Sequence, residues 1–546
     1  MWWKECIGYQ IYLRSFYDSN NDGIGDLKGV IKKLDYLKGL GVNLLWISPF
    51  YESPNDDNGY DISNYFKISK EFGTMRDFHA LLKKAHSFNI KIIIDLVINH
   101  TSDEHPWFIE SKSSLNNDKR DWYIWSKKPN NWESIFKGSA WEKESLTKEY
   151  YLHLFSKKQP DLNWENKEVR KALYKMINWW LDKGIDGFRV DAITHIKKRK
   201  NLPNMPNKTD NTYIPAFNKF TNVYGIHSFL KELKKNTFDK YNIVTVGEAN
   251  GVGLKDIYKW VDERDGRFNM IFQFEHLNLW SFEKNISFSP KKYKDISNKW
   301  QNILAKKGWN ALFIENHDIP RSTSTWGNDK DYWSESAKSF ALAYFMQKGT
   351  PFIYQGQEIG MTNSIFSSLD DFQDIRSINE AKDYFKKGLS PNKILNILSN
   401  TSRDNARTPM QWDNSTYSGF SSHKPWLKIN DNFKKINVKK QTLEKDSILN
   451  FYKSLIQLKK SNKTLIYGDF KLIFENDNNI FAYTRSLDNE FFLIICNLTS
   501  FPHTISTNKF SNIPISILIS NYSIKEINLK KIILNPYECI LCKFYI

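Results

Sequence analysis

What most constrains this chain is an alternation of two kinds of segment. Short apolar runs rich in β-branched and aromatic residues recur: IGYQIYL (7–13), NLLWISPF (43–50), KIIIDLVIN (91–99), GFRVDAI (187–193), NIVTVGEA (242–249), MIFQFEH (270–276), NALFIEN (310–316) and TPFIYQG (350–356). Between them lie segments such as LKGVIKKLDYLKGLG (27–41) and RDFHALLKKAHSF (76–88), apolar at helical spacing. Strands that alternate with helices call for a parallel sheet, and this many units predicts a closed (β/α) barrel. At 546 residues the chain exceeds one ordinary core, which leaves room for appended units. Two segments break the alternation. Residues 102–171 are polar and tryptophan-rich, and read as an excursion from the loop after the third strand. After 468 come closely spaced strand-like runs (KLIFEN, IFAYTR, EFFLIICNLT, ISILIS, KKIILN), as expected of an antiparallel β unit.

The formal charge is +17, a balance that nucleic-acid and membrane-surface proteins share. Here the lysines are spread beside Asn and Ile, with only short clusters such as KKRK (197–200), so they read as a solvated basic surface. No nucleic-acid or membrane partner is expected, and the protein is expected to be monomeric. Cys6, Cys496, Cys539 and Cys542 are too few to staple a chain this long, and the Cys539/Cys542 pair sits in an apolar strand-like run without a second ligand pair. They read as packing residues. The segment MWWKECIGYQIYLRSF lacks a basic stretch followed by an apolar one, and nothing approaches the ~20 apolar residues of a membrane span, so a cytoplasmic protein is expected.

Ionisable residues gather where these strands end: Asn99 and His100, Arg189 and Asp191, Glu248, then His317 and Asp318. The C-terminal strand ends of a barrel meet at one mouth, so residues distant in sequence would converge there. Arg189 and Asp191 are two apart and share a strand face. Three carboxylates with an arginine and two histidines, and no serine or cysteine nucleophile motif, point to a glycosidic bond as the target. One carboxylate would attack, held ionised by the arginine beside it. The other would protonate the leaving oxygen, which requires a raised pKa.

The strings DLVINH (95–100), QPDLNW (159–164), GFRVDAITH (187–195), VGEAN (246–250) and IENHD (314–318), in this order and spacing, resemble the α-amylase superfamily of glycoside hydrolases, in its oligo-1,6-glucosidase and α-glucosidase branch. The resemblance covers essentially the whole chain. It implies a (β/α)8 TIM barrel (1–101 and 172–468), an inserted domain B after strand 3 (102–171) and a C-terminal antiparallel β-sandwich domain (469–546). It also implies retention of anomeric configuration, with the two carboxyl groups roughly 5 to 5.5 Å apart. Carried over by position, Asp191 resembles the nucleophile, Glu248 the general acid/base and Asp318 the transition-state stabiliser. Arg189, His100 and His317 match residues that hold ring hydroxyls. Asp57 and Tyr60 of DNGYDISNY resemble the sugar-binding Asp and stacking Tyr, while Asp61 reads as structural. Phe155 and Gln159 border the same subsite, and Arg403 of SRDNARTPMQW resembles the arginine that closes it, with Arg407 as the competing choice. A closed pocket of this kind implies exo-action on short oligosaccharides.

The stretch DSNNDGIGD (18–26) sets Asp18, Asn20, Asp22 and Asp26 at alternating positions around Gly23, with the Ile24 carbonyl as a further oxygen. That donor set suits Ca²⁺, although Gly29 stands where an EF-hand loop would place its bidentate Glu. The resemblance favours the metal, as a structural ion. Linkage is where the motifs conflict. QPDLNW resembles α-1,6-cleaving members, yet Ala192 follows the nucleophile position where those usually carry Val. The expectation is therefore a broad exo-α-glucosidase acting on α-1,6 and α-1,4 bonds. Trehalose-6-phosphate hydrolase or a sucrose-cleaving relative stays open as an alternative within the class. A catalytically inactive interaction domain is the alternative outside it, though such relatives typically lose the catalytic carboxylates that this chain keeps.

Overall fold

The computed structural model describes residues 1–207, 212–506, 514–523 and 530–545. Each of the eight apolar runs contains a strand of one parallel sheet: β1 (Gly8–Ile11), β2 (Leu44–Ile47), β3 (Lys91–Val97), β4 (Gly187–Asp191), β5 (Val244–Glu248), β6 (Met270–Phe272), β7 (Ala311–Leu312) and β8 (Thr350–Tyr354). Neighbours in sequence are neighbours in space, and β1 pairs with β8 through Gly8 and Phe352. An isolated parallel bridge between Ile271 and Asn310 links the two remaining edges, so the sheet closes into the predicted barrel. Near-continuous β-branched runs are what a strand buried on both faces requires.

Helices wrap the outside, and their ends are specified locally. α1 (Leu27–Leu40) starts on Asp26, whose carboxylate accepts from the Gly29 N–H at 2.7 Å, and stops at Gly41 with φ 99°. α2 (Met75–Ser87) opens with a reciprocal Thr74/Asp77 capping box. Inside the barrel, two of the strands change character along their length. Ile93 precedes Asp95 on β3, and Val244 and Val246 precede Glu248 on β5. Trp46, Ile93, Val244, Val246, Met270, Phe272 and Phe352 fill the lower interior as one apolar cluster. Gly187 is what lets β4 come close to β5: at φ 144°, a Cβ there would stand 1.8 Å from the Val244 carbonyl oxygen. That close approach sets the spacing between Arg189 and Glu248, two residues and four residues further up.

Between β3 and β4 the chain forms a helix (Pro106–Ser113) and a three-stranded sheet of Trp125–Ser126, Tyr150–Leu152 and Trp141–Lys143. Its tryptophans are core residues: Trp132, Trp141, Leu152 and Leu154 pack together with Phe220, which arrives from the loop after β4. After β8, helices Ile375–Lys386 and Pro391–Thr401 pack through Phe366, Phe372, Ile394 and Leu398, a pair for which the alternation gave no expectation. Beyond residue 468 lies a five-stranded antiparallel sheet in the order Asp469–Ile473, Ile480–Leu487, Glu490–Asn497, Cys539–Tyr545, Ser516–Ser520. One face is covered by the pair His503–Ile505 and Ile532–Leu534 through Ile505, Ile532 and Leu534. The other lies on the barrel helix Trp333–Phe345, where the Tyr483 hydroxyl donates to the Ala343 carbonyl at 3.1 Å. All four cysteines are free and buried, and burial pushes the Cys6 thiol up to about 12. Among the described residues no helix is long and apolar enough to cross a membrane.

Candidate active site

The geometry of the site begins with strand register. β3 and β4 align so that Asp95 stands opposite Arg189, and the Arg189 guanidinium donates to Asp95 Oδ1 at 2.7 Å. The same terminal nitrogen donates to Asp191 Oδ1 at 2.7 Å, and the other to Glu248 Oε2 at 2.5 Å. One cation thus ties three carboxylates from three strands, all at the upper end of the barrel. Asp95 is fixed from its other side by the Trp46 indole at 2.9 Å and the Tyr60 hydroxyl at 3.0 Å. Immediately after Asp191 the backbone turns left-handed at Ala192 (φ 43°, ψ 30°), which points the Ala192 N–H at Glu248 Oε2, 3.1 Å away. A non-glycine residue held in that region stores strain, and such strain clusters at functional sites.

Asp318 stands across the same cavity, within 3.1 Å of Arg403, 3.2 Å of Arg407 and 3.1 Å of His317 Nε2. Burial opposes its charge, but these cations and the histidine win and hold its carboxyl well below the usual range. His317 lies flat on Tyr60, ring centroids 5.2 Å apart and planes 3° from parallel, and its Nδ1 meets the Gln10 amide at 2.7 Å. Burial lowers His317 to about 3 and His100 to about 4, so both rings are neutral near pH 7. The far end of the cavity is closed by ionic contacts. Arg403 reaches Asp57 at 2.8 Å and Asp374 at 2.5 Å, and the Gln159 amide ties Asp57 (3.1 Å) to His100 (3.2 Å).

Asp191 departs from the sequence expectation. Burial raises its pKa well above the ordinary carboxylate value, Arg189 opposes that shift, and the charges of Glu248, Asp95 and Asp318 add to it. The physical reason is division: one guanidinium shared among three carboxylates cannot offset both desolvation and their mutual repulsion.

One cavity of about 240 Å³ gathers ten of the predicted residues on its wall: Asp57, Tyr60, His100, Phe155, Asp191, Ala192, Glu248, His317, Asp318 and Arg403. Gln159 and Arg189 stand directly behind that wall, 0% and 2% exposed, and act on it through the contacts just given. Arg407 also stands behind it, bonded through Nε to the His317 carbonyl, so of the two arginines it is Arg403 that faces the cavity. Asp61 caps its own turn by accepting from the Asp56 and Asp57 N–H groups, which accords with a structural role. Residues that sequence reasoning passed over also line the wall, among them Phe136, His195, Asn250, Leu277 and Arg376. His195 and Asn250 end two of the quoted motifs, GFRVDAITH and VGEAN, and adjacency could have found them. Phe136 and Arg376 come from loops and helices that carry no strand-end signal.

The loop 18–26 is arranged differently. Asp18 accepts from the Asn20, Asn21 and Gly23 N–H groups and from the Ser421 hydroxyl, Asp22 from Ile24, and Asp26 from Ser19 and Gly29. Among the described residues no group of three or more His, Cys, Asp or Glu is gathered as for a metal. Asp18 and Asp26 are nonetheless 3% and 4% exposed, with no lysine or arginine within ion-pair distance among the described residues. The donor set is all oxygen, as a hard cation requires.

A family model described as the alpha amylase catalytic domain matches residues 10–468. The chain belongs to the alpha-amylase family. This family member is 53% identical over 546 residues to the probable oligo-1,6-glucosidase 3 of Bacillus subtilis (strain 168), with 98% of each chain covered. It is 48% identical to the oligo-1,6-glucosidase of Parageobacillus thermoglucosidasius, again over 98% of each. Among solved structures, the Bacillus licheniformis trehalose-6-phosphate hydrolase superposes with a TM-score of 0.92 at 40% identity, covering 100% of both chains.

Proposed function

We propose that this alpha-amylase family member is an exo-acting, retaining α-glucosidase that releases terminal glucose from α-1,6- and α-1,4-linked disaccharides and short oligosaccharides. The observation that carries the reading is the cavity itself. It is closed at one end by the Asp57–Arg403–Asp374 contacts, and Asp191, Glu248 and Asp318 stand around the remaining space. A chain end fits such a space, and the middle of a polymer does not.

In this reading the Asp191 carboxylate attacks the anomeric carbon while Glu248 donates a proton to the departing glycosidic oxygen. Glu248 then takes a proton from the water that cleaves the glucosyl–Asp191 ester. Retention is supported by the Arg189 fork, which holds both carboxylates on the terminal nitrogens of one guanidinium and leaves little room for a water between them. Asp318 stays ionised beside the ring that becomes an oxocarbenium-like cation, where a fixed negative charge lowers the barrier. Neutral His100 and His317, together with Asp57 and Arg403, supply hydrogen bonds to ring hydroxyls.

Ca²⁺ in the loop 18–26, held by Asp18, Asn20, Asp22, the Ile24 carbonyl and Asp26, is part of the same proposal. Its support is the buried negative charge of that loop, which a divalent cation would neutralise. The ion would stabilise the first βα connection and take no part in the chemistry.

Rates on isomaltose, maltose, sucrose, trehalose and trehalose 6-phosphate, with the anomer first released followed by NMR, test the reading. Release of α-glucose from isomaltose and maltose is expected. A preference for the phosphorylated disaccharide, or first release of β-glucose, would overturn it.

A further inference from the structure

The catalytic cavity is not alone at the barrel mouth. A second cavity of about 190 Å³, comparable in size to the first, is lined by Trp280, Ser281, Phe282, Glu283, Thr325 and Thr401 among others. The two share Leu277, Asp318, Ile319 and Arg376 as a common wall. The residues proposed to grip the terminal glucose, Asp57, His100, His317 and Arg403, are all nearly inaccessible, 1% to 6% exposed. The Arg376 side chain, by contrast, is 44% exposed. The second cavity therefore joins the first on its open side, where the leaving group must lie.

Its walls suit a sugar. Trp280 is packed against the main hydrophobic core on one side yet lines the cavity on the other, so its indole is a fixed platform for the C–H face of a pyranose. The segment after it is a tight hairpin, with Ser281 and Ile286 exchanging both backbone hydrogen bonds at 3.0 and 2.8 Å. That hairpin holds Glu283, whose carboxylate accepts from the Tyr384 hydroxyl of the helix Ile375–Lys386. Arg376, on the same helix, is steadied through its Nε by Glu380 at 2.8 Å and lines the cavity as well. An indole face, a carboxylate, an arginine and the Thr401 hydroxyl make a neutral-saccharide site: one stacking surface with acceptors and donors at its rim.

Resting on the glucosidase reading above, we propose that this second cavity binds the outer sugar of a trisaccharide's leaving group, with Trp280 as its stacking platform. The protein would then process isomaltotriose-type substrates more efficiently than disaccharides, because only the former reach Trp280.

The test compares kcat/KM on isomaltotriose and isomaltose for the wild-type protein, Trp280→Ala and the cavity-filling Thr401→Phe. Trp280→Ala is expected to lose about tenfold on the trisaccharide, the lower end of what one pocket contact contributes, and to stay within about twofold on the disaccharide. Thr401→Phe should show the same selective loss. The affinity ratio for the two sugars, read by calorimetry on Asp191→Asn with and without Trp280→Ala, gives the same comparison without turnover. If the wild type cleaves neither sugar but calorimetry keeps the Trp280-dependent excess for the trisaccharide, the glucosidase reading fails and the subsite stands. Equal effects on both sugars, or none, in both readouts would overturn the subsite.

Discussion

Two fully buried arginines show how differently this molecule uses the same cation. Arg189 sits in the barrel mouth, where every partner is a carboxylate, and Asp95, Glu248 and Asp191 raise its pKa well above the usual value against the burial that lowers it. Arg485, in the C-terminal sheet, has no acid within ion-pair distance among the described residues. Its guanidinium donates to four main-chain carbonyls, those of Met346, Leu465, Ile466 and Gly468, and burial lowers it to about 10. The first arrangement concentrates negative charge and leaves Asp191 with a raised pKa. The second satisfies the carbonyl ends of a barrel helix and of the short helix Lys463–Tyr467, tying the sheet to the barrel. Burial costs both side chains their hydration. Only in the carboxylate setting does that cost fall on a group proposed to react.

The largest effects are expected at the groups proposed to react. Asp191→Asn and Glu248→Gln should each lower kcat by several orders of magnitude on every glucoside tested. Asp191→Asn should leave the melting temperature at pH 7 unchanged or higher. The sign follows from linkage: a carboxyl whose native pKa exceeds its ordinary 3.8 penalises the folded state once pH rises above that value, and the amide removes the penalty. A protein that melts several degrees lower while keeping its rate would show that Asp191 is structural. Arg485→Leu should do the reverse. It strands four buried carbonyls and should destabilise by on the order of 3 kcal/mol, while KM on the remaining folded fraction stays near the wild-type value. Loss of activity without loss of stability in that variant would erase the contrast.

Asp95→Asn removes one of the three acids that share Arg189. Less repulsion, and one fewer competitor for the guanidinium, should shift the acidic limb of the kcat/KM profile toward lower pH. Because burial holds His100, His195 and His317 at about 4, 4 and 3, no histidine of the site should contribute to that limb above pH 5. An unchanged profile would mean that Arg189 already neutralises the cluster. In the loop 18–26, chelation should lower the melting temperature by a few degrees without changing kcat at ambient temperature, and Asp22→Ala should abolish that sensitivity. Identical melting curves with and without chelator would leave the loop as a turn alone.

The smallest effect is expected at Ala192. On the cavity wall beside Asp191, Ala192→Val adds two methyl groups where the proposed function seats the leaving sugar, and the isomaltose-to-maltose ratio of kcat/KM should rise by roughly tenfold or less. Its φ of 43° adds a condition, because a β-branched side chain is strained there. The variant should also melt lower, and Ala192→Gly should relieve the strain while favouring maltose. A ratio unmoved by either substitution would send the search for linkage preference to the 102–171 excursion.

All eight barrel strands were legible in the sequence because a parallel strand buried on both faces must be a run of apolar residues, and such runs stand out between amphipathic helices. The wall residues near strand ends were legible for the same reason: Asp191 and Glu248 are the last residues of strands inside such runs, and Asp318 stands two residues past another run. Legibility fades where position depends on packing between distant segments. That Gln159 and Arg189 stand behind the wall, whereas Phe136 and Arg376 stand on it, depends on how loops from four parts of the chain fold over the mouth. The raised pKa of Asp191 was equally hidden. A motif names its arginine but does not count how many acids claim it.

The pairing of β1 with β8 carries a consequence in time. Gly8 and Phe352 are partners in the finished sheet, yet more than half of the chain separates them. During synthesis, β1 must wait with one edge unpaired until residue 354 has emerged, and the arginine that closes the cavity, Arg403, comes later still. Long-range parallel pairing of this kind is slow, and an open strand edge invites pairing with other chains. A chain still emerging from the ribosome therefore has half-built walls, and the pocket is complete only after the ring has shut and Arg403 has followed it.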